Sequence, residues 1–420
     1  MSVSPSGTSV TDRPVPATPP GRARVWLLVA GIALAALNLR TAVTSVGPLL
    51  DEMRGALGMN GSVAGVLTTL PVLCFAVIGS TGPLLAHRFG ERRVVAGALA
   101  CLAAGLVARA VVGSVWLFLV FSALALVGGA LGNVLIPAII KRSFPHKVGV
   151  MTAVYTTAMA LGTTLAAGIT VPVADAAGSW RIGLGVWFVL AVIALMPWLG
   201  LLRRDTTAEG GHASVTMRSL LRTRLAWLMA AYFGSQSLQA YVAFGWIAQI
   251  FIDNGVSRQE AGAMLAVLTA ISVPISLVLP SIAARMRNQF PLVALMVVFY
   301  ISGYVGMMTA PAGGAWVWSI LIGLGAGAFP LALTMIALRS RHASTTAALS
   351  AFSQSLGYLM AGAGPLLFGV LHDLSGGWSL PYVLVFGMLV VQLVCGWRVS
   401  RPRHIEDELS PVPDQVHQVK

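Results

Sequence analysis

A single arginine stands deep inside the first long apolar stretch of the chain. Arg40 lies in the sequence LNLRTAVTSVGPLL, fifteen residues past Val25, and the nearest acidic residue is Asp51. At 1.5 Å per helical residue, this position is about 22 Å into a hydrocarbon layer about 30 Å thick. A guanidinium without a carboxylate partner can bind an anion. The alternative is a structural arginine that bonds to helix carbonyls or reaches Asp51.

Further polar side chains fall at comparable depth in other apolar stretches. Arg40 and Thr44 are four residues apart and therefore share a helix face, as do Gln354 and Tyr358. The other candidates are Asn38, Asn133, Tyr155, Gln236 and Gln239. Amide and phenol groups can replace the hydrogen bonds that a solute loses on leaving water. The presence of each polar side chain inside a span is equally explained by a hydrogen bond between helices. The sequence leaves open whether they converge on Arg40.

Composition indicates where these residues are placed. The chain has 420 residues, of which 57% are hydrophobic and 10% charged, whereas soluble proteins carry roughly 25% charged residues. Apolar runs of membrane-spanning length recur throughout, which predicts an all-α polytopic membrane protein. The predicted spans are 25–50, 62–86, 93–112, 115–140, 148–173, 180–202, 225–252, 259–284, 290–310, 314–338, 345–370 and 378–398.

The positions of the basic residues predict the orientation. With alternating spans, 22 of the 27 Lys and Arg residues fall on the side of both termini. The positive-inside rule therefore predicts cytoplasmic termini in a multi-pass plasma membrane protein. The same distribution explains the net charge of +13 without a nucleic-acid partner. The predicted organisation is a disordered tail (1–24), two six-helix halves (25–202 and 225–398), a cytoplasmic linker (203–224) and a cytoplasmic tail (399–420).

Two motif pairs indicate an internal repeat. In the first motif, an alanine followed by glycine precedes a proline by 19 residues and an arginine by 24 residues. This motif occurs twice, and its arginine is Arg88 in one copy and Arg285 in the other. A second motif, Asp-x-x-Gly-x-Trp, ends at Trp180 and again at Trp378, which are 198 residues apart. The shift is close to half the chain. Two parallel six-span repeats with a binding site between them are one architecture of membrane transporters.

Other classes of function lack their residues here. The sequence has no H-E-x-x-H, Walker-type or G-x-S-x-G motif, and its three cysteines are far apart. We therefore expect no enzyme activity, no cofactor and no metal site. All fourteen acidic residues lie outside the span interiors or at their ends, which disfavours a cation exporter. Arg109, three residues from the end of its span, is expected to extend to the membrane interface.

The chain resembles the major facilitator superfamily, and within it the cyanate permease-like branch of cyanate and 2-nitroimidazole transporters. The resemblance covers residues 30–400 and rests on LNLRTAVTSVGPLL, on HRFGERR after span two and on LSAFSQSLGYLMAGAGPLLFGVLHDLSGGW. It implies that Arg88, Gly90, Arg92 and Arg93 belong to the conformational gate. His87 and Pro83 depart from the superfamily pattern, which usually has an acidic residue and a glycine there.

The resemblance implies a secondary active or facilitative transporter whose halves rock around a central site. The expected partners are the lipid bilayer and a small anionic or polar solute, with a coupling ion left open and a monomeric state expected. Two alternatives remain at this point. One is an exporter of drugs or toxic compounds, and the other is a membrane sensor of the same fold that does not transport.

Overall fold

The computed structural model describes residues 22–59, 61–202 and 217–409, and every regular element in these ranges is helical. The predicted all-α fold is confirmed. The helices of the described residues form twelve spans, and the ends of these spans lie close to the predicted limits. In order, they are Arg22–Asn38 with Thr41–Thr44, Gly61–Phe89, Glu91–Val111, Val115–Ser143, Val148–Ala177, Trp180–Gly185 with Trp187–Leu202, Arg224–Asp253, Arg258–Ala270 with Ser272–Arg285, Phe290–Thr309, Ala315–Gly325 with Ala328–Leu338, Ala343–Ser375 and Ser379–Val399. Shorter helices are Gly47–Leu49, Leu50–Leu57, Pro145–Lys147, Met217–Leu220 and Ile405–Leu409.

Span seven differs from the others in polarity. Eleven helical segments of the described chain are long and apolar enough to cross a membrane, and span seven is not among them. It is 30 residues long, but Gln236 and Gln239 lie in its middle beside two serines. All four polar side chains are buried. Because span seven packs chiefly against spans eleven and twelve, its polar middle is covered by protein.

Turn glycines recur with the period of the predicted repeat. Gly58, after the helix that precedes span two, has a φ of +64°, and Gly255, 197 residues later, has a φ of +89° after span seven. Gly178 and Gly376, 198 residues apart, end spans five and eleven with φ values of +62° and +65°. Left-handed backbone favours glycine. The recurrence supports two similar six-span halves.

The two halves meet along two pairs of spans. Span five packs against span eight, and span eleven packs against span two. In the repeat, span five corresponds to span eleven and span two to span eight. The interface therefore relates the halves by an approximate twofold axis, as in parallel-repeat transporters.

The halves are in contact near one end of the bundle. We call this end the basic face; span one begins there at Arg22, and it carries Arg88, Arg142, Arg285 and Arg341. Near it, a Cβ added to Gly149 of span five would lie 2.5 Å from the Cβ of Ala284 in span eight. Farther in, the hydroxyl of Thr156 donates to the carbonyl of Ser276 at 3.0 Å. The seam between spans five and eight is therefore closed on this side.

A short acidic helix, Ile405–Leu409, binds to the basic face. The Ile405 amide donates to the Arg339 carbonyl at 2.9 Å, and Asp407 pairs with Arg341 at 2.6 Å. Glu408 accepts a hydrogen bond from the Leu225 amide at 3.0 Å, at the start of span seven. Carboxylates at helix amino termini satisfy unpaired amides. The segment therefore connects the ends of spans seven, ten and twelve.

Parts of the predicted organisation fall outside the described residues. This applies to the tail up to residue 21, to 203–216 of the linker and to 410–420. Of the linker, residues 217–220 form a short helix and span seven begins at Arg224. The assignment of these segments as tail and linker stays a prediction.

Candidate functional site

Span one is interrupted at the candidate arginine. The helix ends at Asn38 and resumes at Thr41, and Arg40 itself has a φ of −113° and a ψ of −8°. Three nearby hydroxyls bond to backbone carbonyls, which loosens the regular helical pattern. These bonds run from Thr41 to Asn38 at 2.9 Å, from Thr44 to Arg40 at 2.9 Å and from Ser45 to Thr41 at 2.6 Å. The interruption lets Arg40 leave the helical path.

Close packing against two glycines holds this interrupted segment. A Cβ added to Gly162 of span five would lie 1.9 Å from the Leu37 carbonyl oxygen, and one added to Gly129 of span four would lie 2.6 Å from that of Leu39. Small residues permit such backbone approach between membrane helices. The two glycines therefore fix the height and rotation of span one just before Arg40.

The Arg40 guanidinium contacts aromatic and phenolic groups. Its Nη2 donates to the Tyr358 hydroxyl at 3.3 Å, and its Cζ lies 5.6 Å and 5.5 Å from the ring centroids of Phe75 and Phe329. Phe75 and Phe233 pack on the Tyr358 ring, with centroids 5.3 and 5.2 Å away. Of the described side chains, no carboxylate forms an ion pair with Arg40. The cation is thus held by neutral groups alone.

A cavity of about 190 Å³ lies beside Arg40, between the halves. Spans one, five, seven, eight, ten and eleven form its walls, and Phe244 and Phe329 contribute aromatic faces. Its polar lining consists of Arg40, Thr44, Thr156, Thr163, Thr164, Gln236, Ser237, Tyr241, Thr269, Ser272, Ser276 and Tyr358. The lining described contains hydroxyls, one amide and one guanidinium, and no carboxylate.

The cavity lies on the far side of the closed seam. Its walls continue from Thr156 to Thr164 along span five, away from the basic face. One turn beyond Thr164, no atom lies within 4 Å of a Cβ added to Gly168. The same is true of Gly262, two turns beyond Thr269 on span eight. The halves therefore separate toward the face opposite the basic one.

Four predicted site residues line this cavity: Arg40, Thr44, Gln236 and Tyr358. Asn38 and Gln239 do not. The Asn38 amide donates to the carbonyls of Leu34 and Leu190, which joins spans one and six. Gln239 donates to the Val385 carbonyl at 2.8 Å and accepts from the Tyr304 hydroxyl at 3.0 Å. Both side chains bond within their own half.

The remaining three predicted residues form a buried cluster at the junction of the halves. Tyr155 donates its hydroxyl proton to Asn133 Oδ1 at 2.9 Å. The Gln354 amide donates to the Asn133 carbonyl at 3.0 Å and to the Ser350 hydroxyl at 2.7 Å. Span four thereby bonds to span five through Tyr155 and to span eleven through Gln354. None of the three lines the cavity.

The expectation for Arg109 is wrong. Its side chain has 0% exposure and does not extend to the interface. Instead Nη1 donates to the Ala42 carbonyl at 2.9 Å and Nη2 to the Ser45 hydroxyl at 3.0 Å. The interrupted span one offers backbone acceptors inside the bundle, so the guanidinium bonds there.

Sequence reasoning also missed several cavity residues. Tyr241 stands five positions after Gln236 on span seven, and Phe329 follows a small-residue segment of span ten. Thr163 and Thr164 line the cavity as well. A threonine inside an apolar helix usually bonds to its own backbone, as both do here to Met159 and Ala160. Only the position of span eight relative to span five identifies this face as cavity wall.

The predicted gating loop is a tight connection on the basic face. Gly90, with a φ of +85°, separates span two from span three, and non-glycine residues adopt this conformation with strain. Glu91 pairs with Arg142 of span four at 3.6 Å. The Arg88 guanidinium lies 5.4 Å from the Phe89 ring. A gating role for Arg88, Gly90, Arg92 and Arg93 stays a prediction.

Comparison with known proteins agrees with this architecture. Residues 31–362 match the Major Facilitator Superfamily model. The chain is 38% identical over 386 residues to the uncharacterized transporter YycB of Bacillus subtilis (strain 168), covering 90% of this chain and 94% of that protein. It is 35% identical over 389 residues to the 2-nitroimidazole transporter of Escherichia coli (strain K12), covering 92% and 98%. It is 31% identical over 367 residues to the cyanate transport protein CynX of the same organism, covering 86% and 95%.

Solved structures with little sequence similarity share the fold. The proton:xylose symporter XylE superimposes with a TM-score of 0.74 at 14% identity, covering 92% of this chain and 98% of that one. The E. coli fucose:proton symporter FucP superimposes with a TM-score of 0.74 at 11% identity, covering 90% of this chain and 100% of that one. The resemblance noted in the sequence is confirmed. The chain belongs to the major facilitator superfamily and is a membrane transporter of small solutes, not an enzyme.

Proposed function

We propose that this transporter carries a small planar anion or strongly polar heterocycle, with Arg40 as its counter-charge. The observation that carries the proposal is a guanidinium beside a cavity between the halves, bonded to Tyr358 and to no described carboxylate. Coulomb attraction grows as the local dielectric constant falls. An anion in the cavity would compensate Arg40, whereas a cation would meet repulsion.

The aromatic groups around Arg40 favour a flat solute. Phe75 and Phe329 flank the guanidinium, and Tyr241 and Phe244 line the same cavity. Aromatic faces stack on planar molecules, while phenol and amide groups supply hydrogen bonds. Relatives named for cyanate and 2-nitroimidazole fit this expectation, since both compounds are small and planar or linear. A further relative, 35% identical over 92 residues, is named a putative anionic 4-hydroxy-benzoate permease.

The proposed mechanism is alternating access. Contact between Gly149 and span eight closes the seam on the basic face, whereas the space beside Gly168 and Gly262 is open toward the opposite face. Rocking of one half against the other would exchange these two states. We propose that the basic face is cytoplasmic, because Lys and Arg concentrate there. Both termini would then be cytoplasmic in a plasma membrane protein that acts as a monomer.

Competition between probes of equal shape tests the substrate class. Benzoate, benzamide and benzamidine are nearly isosteric and carry negative, zero and positive charge at neutral pH. We expect purified transporter in proteoliposomes to show counterflow of labelled benzoate or cyanate, inhibited in the order benzoate, benzamide, benzamidine. Inhibition by benzamidine equal to that by benzoate would contradict the proposal. Saturable benzoate binding without any flux would favour a sensor instead.

A disulfide across the closed seam is expected to stop transport. In protein whose three native cysteines are replaced by alanine, Gly149→Cys and Ala284→Cys face each other across the seam. The added Cβ of Gly149 would lie 2.5 Å from the Ala284 Cβ, so spans five and eight must part by about 1.3 Å to reach the roughly 3.8 Å of a disulfide. Oxidation should abolish counterflow and reduction should restore it. Gly168→Cys with Gly262→Cys is the matched control, since neither position has an atom within 4 Å of its added Cβ. Unchanged counterflow in the cross-linked Gly149→Cys/Ala284→Cys protein would exclude rocking about this seam.

A further inference from the structure

Arg109 is a second buried arginine with a specific relation to the first. It lies on span three and is completely buried, and it does not line the cavity. Both of its hydrogen-bond acceptors belong to span one, two and five residues after Arg40. A buried arginine is costly unless its donors are used; here Nη1 and Nη2 are bonded, whereas Nε has no hydrogen-bond partner among the described residues. The position of Arg109 therefore suggests that it has a role in the segment of span one that it contacts.

The Ala42 carbonyl is available because span one is irregular there. In a regular helix the Val46 amide would donate to Ala42, but it donates to Val43 at 3.3 Å instead. Arg109 Nη1 donates a hydrogen bond to this unpaired Ala42 carbonyl at 2.9 Å. A buried carbonyl without a hydrogen-bond partner destabilises the fold. Arg109 thus stabilises the irregular conformation relative to a continuous helix.

The Ser45 contact extends this support to the next turn. Ser45 donates its hydroxyl proton to the Thr41 carbonyl at 2.6 Å and accepts from Arg109 Nη2 at 3.0 Å. The Arg40 carbonyl in turn accepts from the Val43 and Thr44 amides at 3.1 and 2.9 Å. These bonds connect the Arg109 guanidinium to the backbone of Arg40 through one short segment.

We propose that Arg109 is the positioning residue of the anion site. Its two parallel bonds hold the segment 42–45 in the conformation that directs Arg40 into the cavity. This inference rests on the proposed function of Arg40. It assigns Arg109 no contact with the solute. The role of Arg109 depends on the shape of its side chain as well as on its charge. A planar guanidinium can donate to a carbonyl and a hydroxyl at once, whereas a lysine ammonium on its flexible stem cannot hold both acceptors in the same fixed geometry.

The ratio of benzoate to benzamide affinity tests the inference. Benzamide has the same shape but no charge, so general damage to the protein should weaken both probes equally. We expect Arg109→Lys, which keeps the charge, to lower the ratio about fivefold to tenfold, within the range of coupling between neighbouring residues. Ser45→Ala, which keeps Arg109 itself, should lower it about threefold. Benzamide affinity should stay within twofold of wild type in both.

The outcomes separate this inference from the proposed function. A wild-type protein that does not prefer benzoate would contradict the role of Arg40, whatever Arg109 does. A wild-type preference that Arg109→Lys leaves intact, but Arg109→Gln removes, would overturn positioning and leave only a long-range charge effect. Equal weakening of both probes would make Arg109 a purely structural residue. Ser45→Ala keeps the test decisive if the Arg109 variants fold poorly.

Discussion

Replacement of Arg40 by glutamine is expected to reduce kcat/KM for anion counterflow by roughly 10-fold to 150-fold. The variant keeps a hydrogen-bond donor for Tyr358 but removes the charge that faces the cavity. A hydrogen bond to a charged group contributes about 1.5–3 kcal/mol, and each 1.4 kcal/mol changes affinity tenfold. Initial rates of labelled benzoate or cyanate counterflow in proteoliposomes measure the loss.

Two further variants make this result interpretable. Arg40→Lys keeps the charge on a different geometry and should retain part of the activity. Arg22→Gln makes the same chemical change at the exposed start of the same span and should leave kcat/KM within twofold. Thermal unfolding in detergent monitors folding of each variant. Folded Arg40→Gln protein with wild-type counterflow would show that Arg40 serves only packing.

Gly162→Ala is expected to give the largest loss of stability among single-methyl changes. The new Cβ would lie 1.9 Å from the Leu37 carbonyl oxygen and 2.6 Å from its carbon, and backbone atoms cannot move aside as a side-chain end can. We expect destabilisation of roughly 3 kcal/mol, at the upper end of overpacking costs. Any folded fraction should transport slowly, because span one is displaced three residues before Arg40. Thermal unfolding and counterflow measure the two effects.

Gly168→Ala on the same span is the matched control. No atom lies within 4 Å of its added Cβ, and alanine favours a helix over glycine by roughly 0.5–1 kcal/mol. This variant should be as stable as wild type or slightly more stable. Equal melting temperatures for the two alanine variants would contradict the packing of span five against span one.

The sequence was sufficient to predict the spans, the repeat and Arg40 as a candidate site residue, which the structure places beside the cavity. Span ends followed from apolar length, since a bilayer core requires about 20 residues per helix. Arg40 was found by its depth, because a charge at that depth is costly and is seldom placed there without a function. The predictions of the spans and of Arg40 depend on one coordinate, the distance along the membrane normal, which a count of residues provides directly.

The rotation of each helix about its axis was the coordinate that the sequence did not provide. Gln236 and Gln239 are three residues apart, yet the first lines the cavity and the second bonds to Tyr304 and Val385. Arg109 was misjudged for a related reason. Its distance from the span end suggested the interface, and only the interruption of span one reveals acceptors inside the bundle. The sequence around Arg109 contains no indication that a neighbouring helix is interrupted.

The polarity of span seven has a consequence for the synthesis of the protein. With two glutamines and two serines at its centre, this segment partitions poorly into lipid on its own. Span eleven, against which span seven packs most extensively, begins at Ala343, 90 residues after span seven ends. At 5–20 residues per second, this is a delay of roughly 5–20 s. We therefore expect span seven to remain at the translocon, beside earlier spans or with a chaperone, until span eleven is available.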